Sequence, residues 1–265
     1  MALKVDQPAE VGEYDEGMQT LLQLVWGDGF LSPGGPDEVA RVLEGVDLTG
    51  CRVLDIGSGL GAISLLLLTA HGAASVTGID LEPELVAKAT DRARAMGLAD
   101  RAVFRTVTAG PFGFDDGSFD VVFSKDSLVQ IPDKSAIFAE IRRVLRPGGL
   151  FVASDWLRGG SGEYSAEMIE YFRLEGITYN MASMAESAAA LAAAGFTDIV
   201  LRDRNPWYRE LARRELESLS GEWYPTLLQR LGEERANHFV VNWRQLVTVL
   251  ERDELKPAHL RAVSP

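Results

Sequence analysis

The sequence predicts an α/β fold, a mainly parallel sheet with helices on both faces, and three observations carry that prediction. Strand-like and helical patterns alternate from Val53 to Asp155, the strand-like runs are almost continuously apolar, and a glycine-rich turn joins the first run to a helix. Continuous apolar runs suit strands buried on both faces, which is the position strands hold in a parallel sheet.

The elements follow in order. Val53-Leu54-Asp55-Ile56 reads as a strand, Gly57-Ser58-Gly59-Leu60-Gly61 as the turn, and Gly78-Ile79-Asp80 as the end of a second strand. Glycines at 57, 59 and 61 allow a sharp turn and a close approach to a ligand that a Cβ would push away. Asp80 falls about twenty residues beyond them, where a carboxylate at a strand tip can accept both hydroxyls of a ribose. A nucleoside cofactor is the expectation. From Glu82 to Met96, Leu85, Val86, Ala89, Ala93 and Met96 form one helical stripe. Ala102–Thr106 and Phe119–Ser124 read as strands, Lys134–Leu145 as a helix, and Leu150–Asp155 as another buried strand. Arg146-Pro147-Gly148-Gly149 is expected to end that helix, since proline breaks the ladder and glycine supplies a turn. Further helices are expected at Tyr164–Tyr179 and Ser183–Ala194, then a strand at Ile199–Leu201. A charged, aromatic helical region covers Trp207–Glu251, and a returning strand lies near His259–Val263.

Composition excludes several classes. A formal net charge of −13 works against binding nucleic acid, which needs a basic stripe. The arginine pairs Arg142-Arg143 and Arg213-Arg214 sit among acids and read as solvated helix faces. Cys51 is the lone cysteine, so no internal disulfide forms. His71, His238 and His259 lack partners at ligand spacing, and no metal site is expected. The Leu65–Leu68 run is too short to span a bilayer, and the first residues lack an apolar signal core. The expected setting is cytoplasmic, as a monomer or homodimer without membrane association.

The turn itself separates two cofactor classes. A dinucleotide turn reads G-x-G-x-x-G and aims a helix N-terminus at a pyrophosphate. Here the spacing is G-x-G-x-G with Asp55 inside the preceding strand, an acid that would repel a pyrophosphate and suits a cationic amino-acid moiety. Together with Phe119–Ser124 and Leu145–Gly149, the segment resembles class I S-adenosylmethionine-dependent methyltransferases over residues 50–156. That resemblance implies a Rossmann-like, mainly parallel seven-stranded sheet with an N-terminal lid and a C-terminal helical cap insertion. It divides the chain into lid helices over 1–49, a cofactor-binding core over 50–158, and the rest of the sheet with its cap over 159–265. These together form one catalytic domain.

Glu13-Tyr14-Asp15-Glu16-Gly17, Trp26–Gly35 and Ser124-Lys125-Asp126-Ser127 are similar to phosphoethanolamine N-methyltransferases, and in part to sarcosine and dimethylglycine N-methyltransferases. The resemblance implies S-adenosylmethionine on Leu31, Ser32, Asp55, Gly57, Ser58, Gly59, Gly61, Asp80, Leu81, Thr108 and Lys125. It implies catalysis by Tyr14, Asp126 and Gln130, and a small-molecule acceptor, an amine, near Trp156 and Tyr179. Two departures stand out. Gln130 replaces a histidine of that family, and glutamine can latch the Tyr14 hydroxyl or read the acceptor but cannot take a proton. Thr108 replaces an acid that accepts the adenine amino group. Other readings stay open: Tyr14 as an aromatic staple, Asp126 as a cap at Ser127, Trp156 and Tyr179 as core aromatics. The same fold also admits an O- or S-methyltransferase of specialised metabolism, or a cofactor-binding protein that does not methylate.

Overall fold

The computed structural model describes residues 15–176 and 179–265. Seven strands form one sheet: β1 (Arg52–Ile56), β2 (Ser75–Asp80), β3 (Ala102–Thr106), β4 (Phe119–Lys125), β5 (Leu145–Arg158), β6 (Thr197–Asp203) and β7 (Leu255–Val263). Their order is β3-β2-β1-β4-β5-β7-β6, with β7 antiparallel to both neighbours and every other pairing parallel. The order reverses between β1 and β4, and ligands of such sheets bind beyond the strand ends at that point.

Strand alternation divides the core. Val53, Val76 and Phe123 face α2 (Gly35–Val42), α3 (Ala62–Thr69) and α4 (Pro83–Ala95), meeting Val39, Leu65, Leu68, Val86 and Ala89. Leu54, Ile79, Val122 and Phe151 face the other way, onto Ile137, Phe138 and Ile141 of α5 (Lys134–Val144) and Leu191 of α7 (Met184–Ala193). Caps fix where these helices start. Asp133 accepts the Ala136 amide at 2.9 Å, and Ser183 with Glu186 forms a reciprocal capping box at the start of α7.

A second apolar cluster joins α1 (Glu16–Trp26), α6 (Ala166–Glu175), α8 (Asn205–Ser220), α9 (Tyr224–Leu231) and α10 (Glu233–Glu251). Of the two N-terminal helices, α1 joins this cluster through Leu21 and Leu22 while α2 packs on the sheet. Glu38 of α2 is fully buried and ties three distant segments together. It accepts from Arg204 Nε and Nη2 at 3.1 and 2.8 Å, and His259 Nε2 of β7 lies 2.7 Å away.

Two boundaries differ from the sequence reading. Arg146–Gly149 does not form a turn after α5. Leu145 already pairs with Phe119, and the four residues make the irregularity before Leu150 pairs with Val121. The helix expected over Tyr164–Tyr179 is shorter, because the Ser165 hydroxyl accepts the Met168 amide and Gly176, at φ 69°, ends the helix in the left-handed region.

Candidate functional site

The glycine turn after β1 lies over the sheet's switch point. Gly57 and Ser58 amides donate to the Ile79 carbonyl at 2.9 and 3.0 Å, and the Gly59 amide donates to Asp80 Oδ2 at 2.8 Å. Gly57 has φ 73°, and a Cβ there would lie 2.3 Å from the Cβ of Ser127. Only glycine fits. Asp80 Oδ1 accepts the Glu82 amide at 3.1 Å, so the carboxylate braces the turn and keeps further lone pairs for a ligand. Burial raises its pKa, and the backbone donors oppose the rise.

This turn floors a cavity of about 780 Å³. Of the residues expected to hold a cofactor, Leu31, Ser32, Gly57, Ser58, Gly59, Asp80, Leu81, Thr108 and Lys125 line it. Asp55 and Gly61 are not among its lining residues. The Asp55 carboxylate is 2% exposed and turned into the sheet–helix interface, where it accepts from Ser64 Oγ of α3 at 2.5 Å. Burial pushes it up to about 7, with the Asp80 charge adding to the rise and the Ser64 bond opposing it. Gly61 begins α3 with φ 82°, and a Cβ there would meet Ala89 and Phe104 at 2.9 Å. Its absence of side chain serves packing. The implied S-adenosylmethionine fits what remains. The buried Ser58 hydroxyl on the cavity wall has no partner among the described residues, and Asp80 beside it keeps lone pairs for a ligand.

At the end of β4 the backbone enters an uncommon conformation. Asp126 has φ 58°, which costs a non-glycine residue some strain, and its amide is held by the Ser154 carbonyl at 2.8 Å. Its carboxylate accepts from Lys125 Nζ at 2.6 Å and from Ser154 Oγ at 3.3 Å. No side chain caps the 3₁₀ turn Leu128–Gln130, so the cap role considered for Asp126 does not apply. Burial raises the Asp126 pKa, and the Lys125 ammonium opposes that rise. The same turn is pinned from below by the Asp155 carboxylate, which accepts the Val129 amide at 3.1 Å. Lys134 Nζ also binds it, donating to the Leu128 and Ile131 carbonyls.

A second, smaller chamber of about 80 Å³ adjoins the first. Leu31, Ser32, Asp126 and Gln130 line both. Trp156 and Tyr179 line the small chamber together, so the two aromatics considered for the acceptor do share a cavity. Tyr14, expected to latch Gln130, lies outside the described residues.

Several residues of this chamber were not foreseen. Trp26 of α1 and Trp243 of α10 form its walls, with ring centroids 5.9 Å apart. Both indoles donate to Glu215, Trp26 Nε1 to Oε1 at 2.8 Å and Trp243 Nε1 to Oε2 at 3.0 Å. Glu175 and Asn242 complete the wall. A signal for two of them was present in the sequence. Glu215 falls on the stripe Tyr208, Ala212, Glu215, Leu219, and Asn242 on the stripe Ala236, Phe239, Asn242, Leu246. A polar residue on an apolar stripe is a candidate for function.

Among the described residues no group of three or more His, Cys, Asp or Glu could hold a metal ion, and no helix is long and apolar enough to cross a membrane.

Comparison with known proteins adds to this geometry. A family model described as a methyltransferase domain matches residues 47–213. Phosphoethanolamine N-methyltransferase 1 of Arabidopsis thaliana is 30% identical over 235 residues, 88% of this chain and 46% of that protein. The 27-O-demethylrifamycin SV methyltransferase of Amycolatopsis mediterranei is 35% identical over 162 residues, 57% of this chain and 59% of its own length. A Haemonchus contortus phosphoethanolamine N-methyltransferase 2, solved with phosphomonomethylethanolamine and S-adenosylhomocysteine, superposes with a TM-score of 0.88 at 26% identity, covering 96% of this chain and 58% of that one. The chain thus spans about half the length of the phosphoethanolamine enzymes it matches.

Proposed function

From the premise that this chain belongs to the methyltransferase-domain family, we propose that it transfers a methyl group from S-adenosylmethionine to an amine nitrogen of a small molecule. The observation that supports this best is the meeting of two cavities of unequal size at Asp126 and Gln130. One is large enough for a nucleoside cofactor and the other is walled by aromatics for an acceptor.

When bound, the cofactor supplies an electrophilic methyl on a sulfonium. The chain's own residues then have three tasks. Asp80 and the glycine turn fix the cofactor's place, with Ser58 offering a hydroxyl that has no other use. Leu31 and Ser32, between α1 and α2, lie on both cavities and help keep water from the junction. Asp126 accepts an N–H of the incoming amine, and Lys125 at 2.6 Å keeps the carboxylate in place. Gln130 can orient the amine or the lid but cannot remove a proton, so Asp126 or solvent receives it. Orientation of this kind can contribute up to about 7–11 kcal/mol of the barrier reduction.

A second reading, transfer to an oxygen acceptor of specialised metabolism, is favoured by the likeness to the 27-O-demethylrifamycin SV methyltransferase. One experiment separates the readings. The protein is incubated with methyl-labelled S-adenosylmethionine and panels of amines, phenols, alcohols and carboxylic acids, and S-adenosylhomocysteine release is measured. Turnover confined to amines supports the first reading, and turnover confined to hydroxyl acceptors replaces it. Cofactor binding with no release on any panel leaves a binding protein that does not methylate.

A further inference from the structure

Asn242 lies on the wall of the acceptor chamber and is 1% exposed. Its amide nitrogen donates to Glu175 Oε1 at 2.8 Å. The Asn242 Oδ1 then has no hydrogen-bond partner among the described residues. A buried carbonyl oxygen left open calls for a donor. Glu175 is itself engaged, since the hydroxyls of Tyr171 and Tyr179 also hydrogen-bond to it.

The remaining wall combines aliphatic side chains such as Met18, Leu22 and Leu246 with aromatic and acidic ones. Trp26, Trp156, Tyr179 and Trp243 supply π-faces, Asp126 and Glu175 supply carboxylates, and no lysine, arginine or histidine lines the chamber among the described residues. Lys125 lies in the neighbouring cavity and is committed to Asp126 at 2.6 Å. A phosphate or carboxylate entering here would lose its hydration beside Glu175 and an Asp126 already paired with Lys125, and no further cation lines the chamber among the described residues. An ammonium or a neutral N–H group meets aromatic rings, and a small shift of the Asn242 side chain would offer its unpartnered oxygen.

We propose, resting on the methyl-transfer reading above, that the acceptor is an amine presenting hydrogen-bond donors to this chamber and carrying no phosphate or carboxylate on the part the chamber encloses. Asn242 is the residue that reads its donor. Glu175 positions Asn242.

The test uses matched pairs that differ only in the phosphate: ethanolamine against phosphoethanolamine, and tyramine against its phosphate ester. The full chain, saturated with S-adenosylhomocysteine, is titrated with each while calorimetry and the tryptophan fluorescence of the chamber are followed. The phosphate-free member of at least one pair is expected to bind about tenfold tighter or better than its ester. Asn242→Leu is expected to weaken that amine about five- to tenfold without changing the affinity for S-adenosylhomocysteine. Should Asn242→Leu not fold, Glu175→Gln, which keeps the shape and replaces the carboxyl with an amide, should narrow the preference for the phosphate-free partner severalfold. Esters that bind as tightly as their parent amines, or amines that do not bind at all, overturn the proposal. A protein that fails to bind S-adenosylhomocysteine removes the underlying reading instead, so the two failures are distinguishable.

Discussion

Glu215 offers a test of the chamber's framework that does not require the acceptor to be known. The residue is 6% exposed and holds two indoles, one from α1 and one from α10. Burial pushes its carboxyl up from 4.5 to about 7, with the Trp243 and Trp26 donors opposing the rise. The folded protein therefore binds this proton more tightly than the unfolded chain does. Its contribution to stability is fully present below about 4.5 and is lost as the pH rises through 7. Two and a half pH units correspond to roughly 3 kcal/mol. Glu215→Gln keeps one acceptor oxygen and removes the titration. Near pH 5 both side chains are neutral, and the variants should differ only by the indole left without its acceptor, about 1–3 kcal/mol. Between pH 5 and 8 the parent should lose roughly 2.5 kcal/mol relative to Glu215→Gln, the rest having gone below pH 5 as the unfolded chain's carboxyl ionises. Urea unfolding of both proteins at several pH values gives the difference directly. A difference that stays flat across this range, or moves the other way, would show that the buried carboxyl is not perturbed as argued.

Four further outcomes are expected. Asp80→Ala should lower S-adenosylhomocysteine affinity about a hundredfold, since charge-assisted bonds are worth roughly 1.5–3 kcal/mol each; calorimetry on a folded variant with an unchanged Kd would refute the cofactor site. Gly57→Ala places a Cβ 2.3 Å from Ser127 Cβ at φ 73° and should abolish cofactor binding. Adding Ser127→Gly should restore part of the binding; a fully active Gly57→Ala would exclude the close approach. Gln130→Ala should cost acceptor turnover by about 0.5–1.5 kcal/mol, with Gln130→His nearer the parent if the residue acts as a latch; equal losses in steady-state kinetics point to a reader instead. Residues 16–35, which include Leu31 and Ser32 on both cavities, should exchange amide hydrogens more slowly with S-adenosylhomocysteine bound; equal protection with and without it would argue against a lid.

The sheet was legible because its signals are local. Val53 to Ile56, Gly57 to Gly61 and Asp80 announce a strand, a turn and a strand tip within thirty residues of one another, and the structure places them so. Asp55 shows the limit of that reasoning. An acid within a buried strand was expected to serve a cationic ligand directly or through water, and strand alternation places its carboxylate on the α3 side, where Ser64 is within reach. The cap was legible as helices but not as a chamber. Trp26, Glu175, Glu215 and Asn242 come from four helices and meet only through tertiary packing, which periodicity along one helix does not reveal. Charged neighbours such as Arg213 and Arg214 also masked the buried stripe of α8.

The position of β7 in the sheet has a consequence for how the chain comes to be made. Strand β6 pairs only with β7, and all of α8, α9 and α10 is synthesised between them. Until β7 arrives, the outer side of β5 is an open edge and β6 has no neighbour to join, which is a hazard for aggregation on the ribosome. The strands β1 to β4, with Asp80, Asp126 and the glycine turn, are complete long before. The residues proposed to hold the cofactor are thus synthesised ahead of α8 and α10, which supply part of the framework of the second chamber, and a ligand that binds the folded first half would stabilise it while the rest is still being translated.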